Sequence, residues 1–280
     1  MRSLFRVLCV ASLLAGTLAL FAPAPSAGAV PQWAPAATAS IHPGVQTVSP
    51  SGQCTSNFVF FDGADNVYLG QAAHCTGTGD ATETDGCLAG TLPLGTEVEV
   101  QGASQPAVMV YNSWLAMQGA GETDPDTCAF NDFALLRLDP ADYGNVNPSI
   151  PHWGGPNGIN TTGIPTGQTV HSYGNSSLRL GLTVLSPKTG VSVGDSGGGW
   201  SHNVFTVTPG IPGDSGSAFL DSSGRAVGVL STLQVLPLAG SNGVGDLSRE
   251  LDYLLSHGGP NVQLALGTEA FNGSQLPIGL

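Results

Sequence analysis

Charge is scarce in this chain. Only 10% of the residues are charged, and seven basic residues face twenty acidic ones. A formal net charge of −13 repels phosphate backbones and anionic lipid surfaces, which argues against nucleic-acid binding and against a polybasic membrane contact. No CxxC spacing occurs among the five cysteines, so a structural zinc site is not expected. His42, His152, His171, His202 and His257 are scattered without ligand spacing, and the acidic loop of Asp80, Glu83 and Asp85 reads as a solvated turn rather than a calcium site. No metal and no cofactor are expected. Outside residues 7–22 there is no long apolar run.

That one run has a specific setting. Arg2 and Arg6 precede it, and Pro23, Pro25 and Ala27-Gly28-Ala29 follow. Basic, apolar and small-residue segments in this order read as a secretory signal over residues 1–29, cut after Ala29; the run is short for a membrane span. Export predicts a secreted, extracellular protein with no membrane contact after cleavage. Cys9 leaves with the signal. Cys54, Cys75, Cys87 and Cys128 remain, an even number in an oxidising compartment, and four cysteines allow three pairings. Residues 30–50 are rich in Ala, Pro and Ser and read as a leader or short pro-segment, with the main domain over 51–280.

Forty glycines and twenty prolines punctuate the chain. Between them lie short apolar or alternating runs at 57–61, 66–69, 97–101, 107–111, 133–138, 178–185, 204–207 and 225–231. Period-two runs at this density predict an all-β sandwich or barrel. One segment has helical period instead: Leu247, Leu251, Leu254 and Leu255, with Asp246 as its cap and Gly258 as its stop.

Three short motifs carry chemistry. His74, in AAHC at 72–75, sits beside a cysteine just after a strand; its imidazole titrates near neutral pH and can shuttle a proton. Asp132 opens the apolar strand DFALLRL, where a partly buried acid needs a donor such as a histidine N–H. Ser215, in PGDSGSAFL at 212–220, is flanked by glycines that permit a tight turn, and the amides of Gly213 and Ser215 can converge on a developing oxyanion. Each motif alone has an ordinary structural reading: a surface histidine, a strand-edge aspartate, a glycine-rich hairpin.

Together, in the order His, Asp, Ser, the three motifs make the sequence resemble the chymotrypsin/trypsin family of serine proteases over roughly residues 54–257. The resemblance implies two antiparallel six-stranded β-barrels with a C-terminal helix and a cleft between the lobes. It implies His74 as general base and acid, Asp132 as its orienter, and Ser215 as the nucleophile of an acyl-enzyme mechanism on protein or peptide substrates. It further implies a Cys54–Cys75 bridge, which leaves Cys87 with Cys128. Substrate-binding positions fall at Pro209, Ser231, Thr232 and Leu233. No acid stands at Pro209, so a preference for Arg or Lys is not expected, and no histidine adjoins Ser231 to support a preference for glutamate. The family's amino-terminal activation motif is missing upstream of His74. Asp214 therefore needs another partner, and Arg179 is the candidate among few basic residues. A monomer is expected.

Gly-Asp-Ser-Gly occurs twice, at 194–197 and at 213–216. The first copy also fits the nucleophile elbow of an α/β-hydrolase esterase, with Ser196 and His257. That reading requires a buried strand before Ser196, a helix after it and alternating strands and helices throughout. The hairpin that follows Ser215 favours the second copy. A protease-like binding module without activity is a third reading, weakened by the presence of all three triad residue types.

Overall fold

The computed structural model describes residues 30–80, 83–234 and 240–275. The expected signal segment lies outside the described residues. Turn-rich, alternating sequence folds into two β lobes. The N-terminal lobe holds β1 (Gln46–Ser49), β2 (Gly52–Thr55), β3 (Val59–Asp62), β4 (Val67–Gln71), β5 (Glu97–Val100), β6 (Ala107–Asn112) and β7 (Ala134–Arg137). The C-terminal lobe holds β8 (Thr169–Tyr173), β9 (Pro187–Ser196), β10 (Ser201–Thr206), β11 (Ala218–Asp221), β12 (Ala226–Gln234) and β13 (Ser241–Asp246). A last strand, β14 (Val262–Leu264), returns to pair with β3 of the first lobe.

The C-terminal lobe is a closed six-stranded barrel in the order β10-β13-β12-β11-β8-β9. The N-terminal lobe is an eight-stranded sheet, β14-β3-β4-β7-β6-β5-β1-β2, two strands more than the expected six. Each lobe has its own core: Val59, Leu69, Met109 and Leu136 in the first, Val170, Phe219 and Val244 in the second. A third cluster joins them, with Phe58, Phe60 and Phe133 from one side and Leu220, Val229 and Leu254 from the other. The lobe seam is therefore packed at its base, and side chains at its mouth are left to form a cleft.

The C-terminal helix forms as the period predicts, α3 in the numbering that follows from two earlier ones: α1 (Ser113–Ala120), α2 (Pro125–Phe130) and α3 (Leu247–Ser256). Asp246 caps α3 by accepting from the Arg249 amide, and Leu247, Leu251 and Leu254 are buried, while Leu255 is exposed. α1 and α2 were not expected. Each has a legible cap: Asn112 accepts from the amides of Trp114 and Leu115, and Asp124 accepts from Thr127 ahead of Pro125. α1 packs on α3 through Trp114, Met117 and Tyr253.

Two other expectations are corrected. Residues 41–49, read as leader, belong to the first lobe: Ile41 and Val45 are buried in its core and β1 pairs with β2 and β5. Residues 178–185, read as a strand, instead form two single 3-10 turns at Ser177–Arg179 and Thr183–Leu185. Leu180 and Gly181 between them take left-handed backbone conformations, and Leu178, Leu180 and Leu182 are exposed. Alternating leucines there reflect no buried face.

Candidate active site

His74 lies on a 3-10 turn, Ala73–Thr76, that follows β4 directly. The Cys54–Cys75 disulfide ties that turn to β2, and Cys87–Cys128 closes the neighbouring loop. Asp132 sits just before β7 and is only 4% exposed. Its two oxygens are fully engaged. Oδ1 accepts the His74 backbone N–H at 2.9 Å, while Oδ2 accepts His74 Nδ1–H at 2.7 Å and also the Ser231 hydroxyl. Burial opposes ionisation of Asp132, but the His74 charge and the donated hydrogen bonds outweigh it and hold the carboxyl below its ordinary value. At His74 burial likewise opposes the charged form, and the Asp132 charge and hydrogen bond prevail, raising the imidazole pKa.

Ser231 was expected at the substrate-binding edge. It does line the cleft, and its hydroxyl has a second task that sequence did not disclose. The β12–β13 register shifts between Leu230 and Thr232, so Ser231 is the extra residue of a bulge. Its side chain thereby reaches Asp132 rather than following the ladder.

Ser215 is held between the lobes. Its carbonyl accepts the Thr55 N–H at 2.8 Å from β2, and the next amide, Gly216, donates to Leu230 O at 2.7 Å. Gly216 has φ +88°, and a Cβ there would strike the Thr55 carbonyl, so the turn requires glycine. The two amides ahead of the serine side chain are set by their partner carbonyls. Ser176 Oγ donates to Pro212 O at 2.6 Å, which sends the Gly213 N–H the opposite way. Ser217 donates to Asp214 O through both its amide and its hydroxyl, which turns the Ser215 N–H away likewise. Neither the Gly213 nor the Ser215 amide donates to another described residue.

Asp214 is wholly buried beneath this turn. Arg179 pairs with it, as sequence anticipated, and Lys188 Nζ, which sequence missed, lies 3.0 Å from the same oxygen. Burial lowers the Lys188 pKa to about 8 despite the Asp214 charge. Lys188 sits on β9 with a side chain that is fully enclosed; nothing in its local sequence distinguishes it from a solvent-facing lysine.

His74, Asp132 and Ser215 line one cleft, together with Gly213, Ser231, Thr232 and Leu233. Pro209 does not line it; its carbonyl instead accepts from Arg179. The cleft wall near Pro209 is made by Gly210, Ile211 and Pro212. Asp80 and Glu83 also line the cleft, and among the described residues no Lys or Arg lines it.

The first Gly-Asp-Ser-Gly has a different environment. A ten-residue strand, β9, does precede Ser196, but it is largely half-exposed and is followed by a single glycine turn, not a helix. His202, 1% exposed, lies between Asp195, 2.8 Å from Nδ1, and Asp246, 2.9 Å from Nε2. Each ring nitrogen thus has a carboxylate oxygen as its partner, an arrangement that favours the protonated ring. No nitrogen remains to take a proton from Ser196, whose hydroxyl accepts from Asn203 at 2.9 Å. His257, the other base considered for Ser196, stacks on Tyr253 at 3.7 Å at the end of α3.

The chain has the chymotrypsin-like fold. Thermobifida fusca protease A superposes with a TM-score of 0.51 at 16% identity, over 81% of this chain and 99% of that one. A glutamic acid specific serine protease, which uses a histidine triad in substrate binding, superposes with a TM-score of 0.50 at 16% identity, over 80% of this chain and all of its own. No protein-family model matches the chain, and no curated protein matches it.

The His202 clamp yields a pH-dependent stability. Burial lowers the imidazole pKa, but hydrogen bonds and charges from Asp246 and Asp195 outweigh it and raise the value above 6.5. With the folded value above the unfolded one, the stabilisation is complete below about pH 6.5 and is lost as pH rises through the folded value. Urea unfolding of His202→Asn beside the parent chain should show a stability gap at pH 5.5 that shrinks by pH 9. A gap independent of pH would mean that His202 is neutral.

Proposed function

We propose that the chain is a secreted serine endopeptidase that cleaves peptide bonds through an acyl-enzyme. The observation that carries this reading is the 2.7 Å hydrogen bond from His74 Nδ1 to the buried Asp132 carboxylate, in the cleft that Ser215 also lines. An anion fixed on Nδ1 leaves Nε2 as the basic nitrogen of the ring. Nε2 takes the Ser215 proton as the hydroxyl oxygen attacks the scissile carbonyl. Negative charge grows on the carbonyl oxygen, and the Gly213 and Ser215 amides, both without an acceptor among the described residues, stabilise it. The tetrahedral adduct then collapses, the imidazolium returns its proton to the leaving amine, and the acyl group stays on Ser215. A water molecule, deprotonated by His74, releases the acid and restores the serine.

Specificity follows from the cleft wall. Leu230, Ile211 and Leu233 are apolar, and besides Asp132 the acids that line the cleft among the described residues are Asp80 and Glu83. A neutral apolar residue therefore fits the pocket beside Ser231 better than a charged one. Glutamate is disfavoured by Asp80 and Glu83, and apart from His74 no histidine among the described residues lines the cleft to receive it. Secretion is supported by the signal-like order of residues 1–29 and by two disulfides.

The esterase alternative loses its support with Ser196, whose neighbouring imidazole has both nitrogens occupied. An inactive binding module would have no need of free amides beside an oriented histidine.

Labelling the folded, disulfide-intact protein with a fluorophosphonate, followed by mass spectrometry of its peptides, tests the reading. The adduct is expected on Ser215, to be lost in Ser215→Ala and His74→Ala and retained in Ser196→Ala. The same protein should cleave a peptide library after apolar residues. An adduct on Ser196, or dominant cleavage after Arg or Glu, contradicts the assignment.

A further inference from the structure

Glu250 lies one turn into α3, and its side chain points into the protein. It is fully buried. Its Oε1 accepts the backbone N–H of Asp132 at 3.2 Å, while Oε2 has no hydrogen-bond partner among the described residues. The carboxyl seats against Gly245, where any Cβ would collide with Oε1. No described cation forms a salt bridge with it. The charged and titratable groups that act on it are Asp132 before β7, Asp246 at the end of β13, and Tyr111 on β6, with Tyr253 further along α3 beside Tyr111. Burial, and then the Asp132 charge, push the Glu250 carboxyl well above its ordinary range and so favour its neutral form.

The backbone around Asp132 is gripped from two helices. Ser113, at the start of α1, donates its hydroxyl to Asn131 O at 2.8 Å and accepts the Phe133 N–H at 3.0 Å, and its own amide donates to Phe133 O at 2.8 Å. Glu250 takes the remaining amide, that of Asp132 itself. A surface acid in this position would be replaceable, but a buried second carboxyl beside a buried carboxylate is costly unless it has a task. We propose that Glu250 is a positioning residue of the active site, fixing the Asp132 backbone through the amide that it accepts and so aiming the carboxylate that orients His74. This deepens the protease reading and rests on it.

The test compares Glu250→Ala and Glu250→Gln in the full mature protein, with fluorophosphonate labelling of the parent chain as the control for the protease reading. Glutamine keeps a neutral acceptor for the Asp132 amide; alanine removes it. Glu250→Ala should lower kcat about tenfold, the size of one lost backbone hydrogen bond, with KM changed less than about twofold. Glu250→Gln should restore kcat to within about threefold of the parent. The His74 titration midpoint, followed by NMR, should be the same in Glu250→Gln and the parent, because burial favours the neutral form of Glu250 and the amide is neutral too. An unchanged kcat and an unchanged His74 Nδ1–H resonance in Glu250→Ala would overturn the proposal. So would a fall in the His74 midpoint in Glu250→Gln, which would make Glu250 an anion that acts by charge; this arm decides the matter even if Glu250→Ala does not fold. A parent chain that takes no fluorophosphonate at Ser215 would instead defeat the protease reading, while the NMR comparison would still report whether Glu250 holds Asp132.

Discussion

A carboxylate that is 4% exposed stays ionised only where donors replace the water that it has lost. Asp132 meets this condition with the His74 amide, the His74 ring N–H and the Ser231 hydroxyl. Much of the architecture follows from supplying those donors. The Cys54–Cys75 bridge and the 3-10 turn after β4 present the His74 backbone N–H and ring Nδ1 to the same side chain. The bulge in β12 delivers Ser231 from the other lobe. Donors come from both lobes, so the lobe seam and the site are the same structure, and a shift of one lobe against the other would take the Ser231 hydroxyl from Asp132 while His74, in the same lobe as Asp132, stayed bonded to it.

Two copies of one tetrapeptide show how context decides chemistry. At 213–216 the turn packs around buried Asp214, which Arg179 and Lys188 neutralise, and two amides are left without an acceptor among the described residues. At 194–197 the aspartate faces outward and shares the His202 ring with Asp246, the residue that also caps α3. The first arrangement leaves polar groups unspent at a cleft. The second satisfies every nitrogen of its histidine and joins β9, β10 and the start of α3.

The strand pattern, the C-terminal helix and the partner of Asp214 were legible because each has a local signature: alternation in β5, leucines at helical spacing in α3, and a shortage of cations that left Arg179 as the candidate. The histidine, aspartate and serine motifs were legible as a set, since no one of them is distinctive. Other features were hidden for physical reasons. Residues 41–49 were read with the leader because residues 30–50 taken together are rich in Ala, Pro and Ser, yet Ile41 and Val45 anchor them in the core. The leucines at 178–185 mimic a strand, and only the left-handed backbone at Leu180 and Gly181 breaks it. Lys188, Ser231 and Glu250 act through long-range contacts between different elements, for which a single sequence carries no spacing rule. The two early helices could have been read from Asn112 and from Asp124-Pro125, whose caps were present but whose cores are short.

The central claim is that ionised Asp132 sets the tautomer and aim of His74, and Asp132→Asn tests it most directly. An amide at this position presents its NH2 group to the imidazole and favours the tautomer with the proton on Nε2, where it cannot accept from Ser215. Hydrolysis of a peptide substrate at pH 7 should fall by about four orders of magnitude in kcat while the protein remains folded. A variant that keeps activity within about tenfold of the parent would contradict the account, because Asp132 would then be a structural acid and the activation of Ser215 would lie elsewhere.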